Sequence, residues 1–369
     1  TGSVSFGKII QPSSGAWSTG GAMINGMSYL STAGTKTAAL AFFRDSFSSS
    51  PPSNCTEEYN GSSWSAGGAL SYGHYSNPGG AGTQNDAMLF GTIYGGSNAM
   101  IYNGTSWASG GAMTNNLGYS GQAGASTNTA LAFGGYTGAV DQTCTSEYNG
   151  TTWGSGGAMA TARQSLAGAG IQTSALAMGG YISGTGVVAC TEEYDGTNWS
   201  TGGAMATARQ SLAGAGTTTS GLVFGGTSGT TCTEEYDGTS WSAGGALATA
   251  RAAHGGTGTQ TSALAIGGSV GVGNCTEEYT KVGGGIIKTF DYSESTGDTT
   301  ATGSFKGTFD GAATSATSAS YALTASHAPS SFPYTGSAEI TGSLEVTGAV
   351  TLSQVSSSLN FADDTAAAT

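Results

Sequence analysis

Arg163, Arg209 and Arg251 each stand ten residues after a tryptophan, and acidic pairs such as Glu192-Glu193 and Glu234-Glu235 recur at a fixed place nearby. Cations and carboxylates repeated in this way can do one of two things. They can form a ring of charge around a channel that binds an anionic ligand. Alternatively they can form one structural Arg–Glu pair per repeat, a contact costly to break singly because it strands a buried charge. The copy after Trp107 favours the structural role, since it has Leu117 in the arginine's place and Met100-Ile101 where the acidic pair belongs. Paired carboxylates also serve glycoside hydrolysis. Here they recur in nearly every copy, whereas a catalytic pair is a unique departure from a repeat. The histidines are His74, His254 and His327, and none has a partner at metal-ligand spacing. No GxSxG nucleophile elbow is present. The expectation is a non-enzyme with no catalytic residue, no metal site and no cofactor.

Five cysteines, Cys55, Cys144, Cys190, Cys232 and Cys275, each precede a repeated tyrosine by four residues, and Asn98 takes that place in the remaining copy. Equivalent positions on separate repeats lie too far apart for disulfides. They are expected to be free thiols acting as small buried apolar groups, which fits assembly in a reducing cytoplasm.

The elements that must position these groups are set by the tryptophans Trp17, Trp64, Trp107, Trp153, Trp199 and Trp241, spaced by 42 to 47 residues. Tyr59, Tyr102, Tyr148, Tyr194 and Tyr236 each stand five residues before one of them. The exceptions are complementary: Trp17 lacks a tyrosine, and Tyr279 lacks a tryptophan. One repeat is therefore split between the chain ends, the signature of a ring closed by pairing an N-terminal strand around Trp17 with the strand of Tyr279. No segment carries a 3.6-residue apolar period of helical length. Short strands alternate with glycine-bearing turns. Asn60-Gly61, Asn103-Gly104, Asn149-Gly150, Asp195-Gly196 and Asp237-Gly238 predict two-residue type I′ hairpins between the Tyr and Trp strands. Turn chemistry also accounts for the sequons at Asn60, Asn103 and Asn149. The Ala204–Arg209 type of segment reads as a third strand, and the Ala-Leu-Ala type of segment ending in Gly-Gly as a fourth. Four strands per repeat make a β-propeller blade, and residues 1–280 make six.

With Gly-Gly doublets at Gly95-Gly96, Gly134-Gly135, Gly179-Gly180, Gly225-Gly226 and Gly267-Gly268, followed by Glu-Tyr, a turn and Trp, the repeats resemble the kelch family. The first copy departs, with Phe43-Arg44 where the doublet belongs. The resemblance implies an all-β, six-bladed kelch-type propeller. Within it, Glu193, Glu235 and the repeated Trp, Tyr and Arg residues are structural.

A net charge of −13 argues against nucleic acid as partner, because nothing would neutralise phosphates. No apolar run reaches membrane-spanning length, so no membrane insertion is expected. Thr1-Gly2-Ser3-Val4 shows neither an initiator methionine nor a signal peptide.

The connections between second and third strands vary most between copies, and loops on a rigid ring commonly carry recognition. Arg44, Phe47, Tyr136 and Tyr181 lie in them and are the candidate binding residues, the aromatics as stacking surfaces for sugars. After the ring, 281–300 reads as a linker and 301–369 as a fibrous β-rich segment. Thr-Gly doublets recur there every six residues, at 335, 341 and 347. The runs Ala316-Thr317-Ser318-Ala319-Ser320-Tyr321-Ala322-Leu323 and Gly342-Ser343-Leu344-Glu345-Val346-Thr347-Gly348 resemble fibre and structural proteins of tailed bacteriophages, notably cyanophages. That resemblance implies a homotrimer, contacts with other virion proteins, and a virion location after assembly in the host cytoplasm. The expected function is a virion fibre or appendage protein whose ring binds a host-surface glycan or protein. A purely structural decoration or collar protein, and a secreted adhesin or carbohydrate-active enzyme, are the alternatives.

Overall fold

The computed structural model describes residues 9–10, 15–42, 54–70, 78–91, 98–115, 117–227, 230–269, 273–281 and 286–287. The chain divides into Thr1–Ser293 and Glu294–Thr369. The fibrous segment expected at 301–369 lies outside the described residues, as do Arg44 and Phe47.

The described part is an all-β propeller of six four-stranded antiparallel blades. From channel to rim, blade 1 is Ser31–Thr35, Ala38–Phe42, Thr56–Tyr59 and Trp64–Ala66. Blade 2 is Gly79–Gly82, Ala87–Phe90, Met100–Tyr102 and Trp107–Ser109. Blade 3 is Gly121–Ala123, Leu131–Phe133, Thr145–Tyr148 and Trp153–Ser155. Blade 4 is Ala167–Ile171, Ser174–Met178, Thr191–Tyr194 and Trp199–Thr201. Blade 5 is Ala213–Thr217, Ser220–Phe224, Thr233–Tyr236 and Trp241–Ala243. Blade 6 takes Gly255–Thr259, Ser262–Ile266 and Thr276–Thr280 from one end of the ring sequence and Ala16–Thr19 from the other. In that closing pair Trp17 stands opposite Tyr279 and Ser18 opposite Glu278. Ile9–Ile10 also pairs with Ile286–Ile287 as a separate two-stranded ribbon.

The core lies between blades rather than within a single centre. A hydrophobic cluster sits at each of the six interfaces; the one joining blades 1 and 2 contains Leu40, Phe42, Leu89, Met100, Tyr102 and Trp107. The phenylalanine ending a second strand meets the next blade's tryptophan edge-on or tilted, as in Phe42–Trp107 at 5.1 Å and Phe133–Trp199 at 4.8 Å. Phe224 meets Trp17 in the same way at 4.8 Å, so the closing strand completes the pattern.

Two local expectations are corrected. The Tyr-to-Trp connection has four residues, since Tyr194 pairs directly with Trp199. Its glycine has positive φ (Gly196, +92°), but the preceding Asp or Asn is absent from the positive-φ residues, which excludes type I′. Instead Asp195 Oδ1 accepts from the amides of Thr197 and Asn198, and Asn60, Asn103, Asn149 and Asp237 repeat the arrangement. The short polar side chain builds the turn.

The Ala204–Arg209 segment is an irregular linker between blades, and the strand is the glycine-rich Ala213–Thr217. Glycine here marks close approach rather than a turn. A Cβ on Gly168 would stand 2.2 Å from the Gln122 carbonyl oxygen, and one on Gly214 would stand 2.7 Å from that of Gly168. Only bare backbone lets six inner strands converge on one axis.

Candidate functional site

Most of the side chains capable of chemistry are spent joining blades. The hydroxyl of Tyr59 donates to Glu278 of blade 6, Tyr102 to Glu58, Tyr194 to Glu147, Tyr236 to Glu193 and Tyr279 to Glu235. Each bond is 2.5–2.6 Å and crosses from one blade to the blade before it. The tryptophan indoles make a parallel set, Trp64 to Thr276, Trp107 to Thr56, Trp199 to Thr145, Trp241 to Thr191 and Trp17 to Thr233. Burial first, and then the hydrogen bond to a carboxylate, push Tyr59, Tyr194 and Tyr236 up to about 12. Tyr279 is raised further for the same reasons.

One interface departs from this scheme. Blade 2 has Ala99 and Ile101 where Thr and Glu stand elsewhere, and Trp153 turns to the Gly111 carbonyl instead. At this interface Thr127 donates to Asp86, linking the hairpin tips. Other interfaces use a glutamine at the tip: Gln84, Gln172 and Gln260 each donate to two carbonyls of the preceding blade.

The arginines are structural, and they pair with the first glutamate of each acidic pair. Arg163 meets Glu192 at 3.2 Å, Arg209 meets Glu234 at 2.8 Å, and Arg251 meets Glu277 at 2.5 Å. All three arginines are buried. Burial pulls the Arg209 guanidinium down, against the raising effect of Glu234. Each glutamate also accepts two backbone amides from the linker, as Glu277 does from Ala248 and Thr249. The second glutamates, Glu193 and Glu235, serve the next blade's tyrosine. The register of Leu117 is also corrected: it leads into blade 3, so its counterpart is Ser146 rather than Met100-Ile101. Blade 1 keeps Glu57 without an arginine. Met27 occupies that position, and the Asn25 side-chain amide donates to Glu57 in its place.

The doublet glycines carry positive φ, +62° and +98° at Gly134-Gly135 and +63° and +118° at Gly225-Gly226. In blade 2 the first of these positions is Gly91 (φ +70°), not the expected Gly95-Gly96, which lie outside the described residues. Four of the cysteines, Cys55, Cys144, Cys190 and Cys275, are half-buried and Cys232 is exposed, which corrects their expected burial. At four strand entries the cysteine carbonyl is in use, with Gly134, Gly179, Gly225 and Gly267 donating to Cys144, Cys190, Cys232 and Cys275, while the Cys190 thiol accepts from Arg163 and the Cys144 thiol donates to Gln142.

The channel is a cavity of about 160 Å³ lined mainly by glycine, alanine and serine. His254 lies in its wall, buried beside Phe224. Burial, and then the nearby Arg251 and Arg209, hold it well below the usual histidine range, so it is neutral. At the mouth five equivalent residues adopt left-handed φ without being glycine: Tyr29, Tyr119, Ser165, Ser211 and Ala253. That conformation turns their peptides along the rim. Tyr29 donates to Ala253, Ala253 to Ser211, Ser211 to Ser165 and Ser165 to Tyr119, a backbone hoop of 2.7–2.9 Å bonds.

In blades 3 and 4 the connections between second and third strands lie at this same mouth. Tyr136 and Gly118 exchange both backbone hydrogen bonds, and so do Tyr181 and Gln164. Both tyrosines are half-buried. Asp141 joins the two connections, accepting from the Gln164 amide at 3.0 Å and from the Ser183 backbone at 2.6 Å. The sequence signal for Asp141 was its place in a variable loop, and it was not singled out. Among the described residues no group of three or more His, Cys, Asp or Glu could hold a metal ion, and no helix is long and apolar enough to cross a membrane.

The fold defines the class as a six-bladed β-propeller. Among solved structures the chain matches the propeller entitled "Structure of YjhT", with a TM-score of 0.56 and 13% identity, covering 71% of this chain and 96% of that one. At that identity the likeness establishes the fold alone. No family model and no curated protein matches the chain.

Proposed function

We propose that this protein is a non-enzymatic virion fibre or appendage protein of a tailed bacteriophage. Its kelch-type ring is the receptor-binding head, and the segment after it serves trimerisation and attachment to other virion proteins. The observation that carries the reading is how the ring's reactive groups are used. Five of the six repeated tyrosines, the three repeated arginines and their glutamates are committed to blade-to-blade or linker contacts. The strand connections of blades 3 and 4, which depart from the repeat, lie at the channel mouth and hold Tyr136, Asp141 and Tyr181. Positive φ at the doublets and the Tyr-turn-Trp hairpins support the kelch-type assignment. The phage-like runs after the ring support the virion assignment.

In a trimer, three heads would multiply weak contacts through avidity. Mass spectrometry and antibody labelling of purified phage particles test the location, with the chain expected on a tail or capsid appendage. Light scattering on the full chain tests the trimer; a clean monomer counts against the fibre.

A further inference from the structure

The receptor-binding reading, on which this inference rests, leaves the ligand's chemistry open, and the geometry at blades 3 and 4 narrows it. Tyr136 stands directly opposite Asp141 in an antiparallel bridge, and Gln164 stands directly opposite Tyr181. Residues opposed in this way put their side chains on one face, roughly 5 Å apart. The Asp141–Gln164 hydrogen bond joins the two pairs. The result is one row, Tyr136–Asp141–Gln164–Tyr181, with an aromatic ring at each end and a carboxylate–amide pair between. Tyr119 adjoins it, since Gly118 pairs with Tyr136 and the Tyr119 carbonyl accepts from Ser165. Two of the roughly four acceptor sites on the Asp141 carboxylate are used within the protein. The rest can accept hydroxyl donors.

Charge decides what kind of hydroxyl-rich ligand fits. Among the described residues every lysine and arginine already faces a glutamate. Arg163, Arg209 and Arg251 are buried, Lys36 pairs with Glu278 at 3.5 Å, and Lys281 pairs with Glu235. His254 is neutral. Among the described residues no unpaired cation therefore stands ready for an anion, and Asp141 repels one. We infer that this row binds a neutral oligosaccharide, with sugar faces stacked on Tyr136 and Tyr181 and hydroxyls donated to Asp141, and that it rejects sialylated, sulfated and uronate-bearing glycans.

The test uses the full chain on an array of neutral, sialylated, sulfated and uronate-bearing glycans, followed by titration of the bound oligosaccharides at low and high salt. The expected result is neutral binding with little salt dependence. Tyr136→Ala, Tyr181→Ala and Asp141→Asn should each weaken it by about tenfold or more (roughly 1.4 kcal/mol), with unchanged melting temperature. Tyr136→Phe and Tyr181→Phe should retain it within a few fold. If the alanine variants unfold, Asp141→Asn and the phenylalanine variants carry the test. Binding of acidic glycans with steep salt dependence overturns the inference but leaves the receptor reading standing. Neutral binding indifferent to all these variants overturns the site. Binding of no glycan overturns the inference and leaves a host-surface protein as the head's receptor.

Discussion

Tyr236 of blade 5 donates its hydroxyl to Glu193 of blade 4 across 2.5 Å, and the Trp241 indole donates to Thr191 of the same strand. Two residues five apart on one blade thus grip two residues two apart on the blade before. Removing one grip without filling the space should leave Glu193 under-bonded at a tightly packed interface. Tyr236→Phe is therefore expected to destabilise the ring by about 1–2 kcal/mol, read as a fall of a few degrees in melting temperature. The same substitution at Tyr148 should cost less, because blade 2 offers Ile101 where a glutamate would stand.

The Trp17 strand carries the same grips across the join between chain ends. Deleting residues 1–20 should lower the melting temperature sharply, because blade 6 loses its outer strand and Phe224 keeps His254 but loses Trp17 as a ring partner. Trp17→Ala alone should cost about 2–3 kcal/mol, less than a fully buried tryptophan because Trp17 is half-buried. An unchanged calorimetric transition in the deletion variant would refute closure as a source of stability.

Blade 1 supplies a natural control for the buried ion pairs. Arg251→Met strands Glu277 and two carbonyls, those of Gly267 and Cys275. A loss of about 3–5 kcal/mol is expected. Thr249 occupies the position that Asn25 holds in blade 1. Adding Thr249→Asn should hand Glu277 a replacement donor and recover about 1 kcal/mol or more, measurable as a coupling energy in a double-mutant cycle.

The tyrosines predict an alkaline transition. The five that donate to a carboxylate, Tyr59, Tyr102, Tyr194, Tyr236 and Tyr279, have folded pKa values above the ordinary value of 10, with Tyr59, Tyr194 and Tyr236 at about 12. A raised pKa means that the neutral form is favoured by folding, so this contribution is fully present below pH 10. It is lost as pH rises through 10 towards 12. Denaturant midpoints should hold steady up to about pH 9 and fall steeply above 10. Tyrosinate absorbance should rise together with loss of near-ultraviolet circular dichroism. Ionisation of Tyr59, Tyr194 or Tyr236 at pH 10 in a ring that stays folded, assigned as the tyrosinate signal missing from the matching phenylalanine variant, would contradict the inter-blade bonds.

How much of this was legible follows from what repetition reveals. The pairing of Trp17 with Tyr279 could be read because two half-repeats are complementary. The inner strands could not, because Ala213–Thr217 has the composition of a turn and is shaped by neighbouring backbones that the sequence does not display. The Arg–Glu pairing was visible as a type, but its register was not. Choosing Glu192 over Glu193 depends on strand alternation, which sends successive side chains to opposite faces. Asp141 and Gln164 stand in unrelated loops of neighbouring blades, and only the ring brings them together.

The hoop at the channel mouth offers a last test. Ala253 sits at φ +49° while donating to Ser211 and accepting from Tyr29. The left-handed conformation costs a residue with a Cβ roughly 1–2 kcal/mol, a penalty glycine escapes. Glycine also adds freedom to the unfolded chain, worth about 0.4–1 kcal/mol in the opposite direction. Ala253→Gly should therefore leave stability unchanged or raise it by up to about 1 kcal/mol. Most non-glycine positions in a sheet protein would lose stability on the same change. Gly225→Ala should do the reverse. Its φ is +63°, and the added Cβ would stand 2.7 Å from the Arg251 carbonyl oxygen and 2.4 Å from the His254 ring. A loss of about 2 kcal/mol or more is expected. If both substitutions instead cost the same, the hoop would be a feature of backbone connectivity without strain.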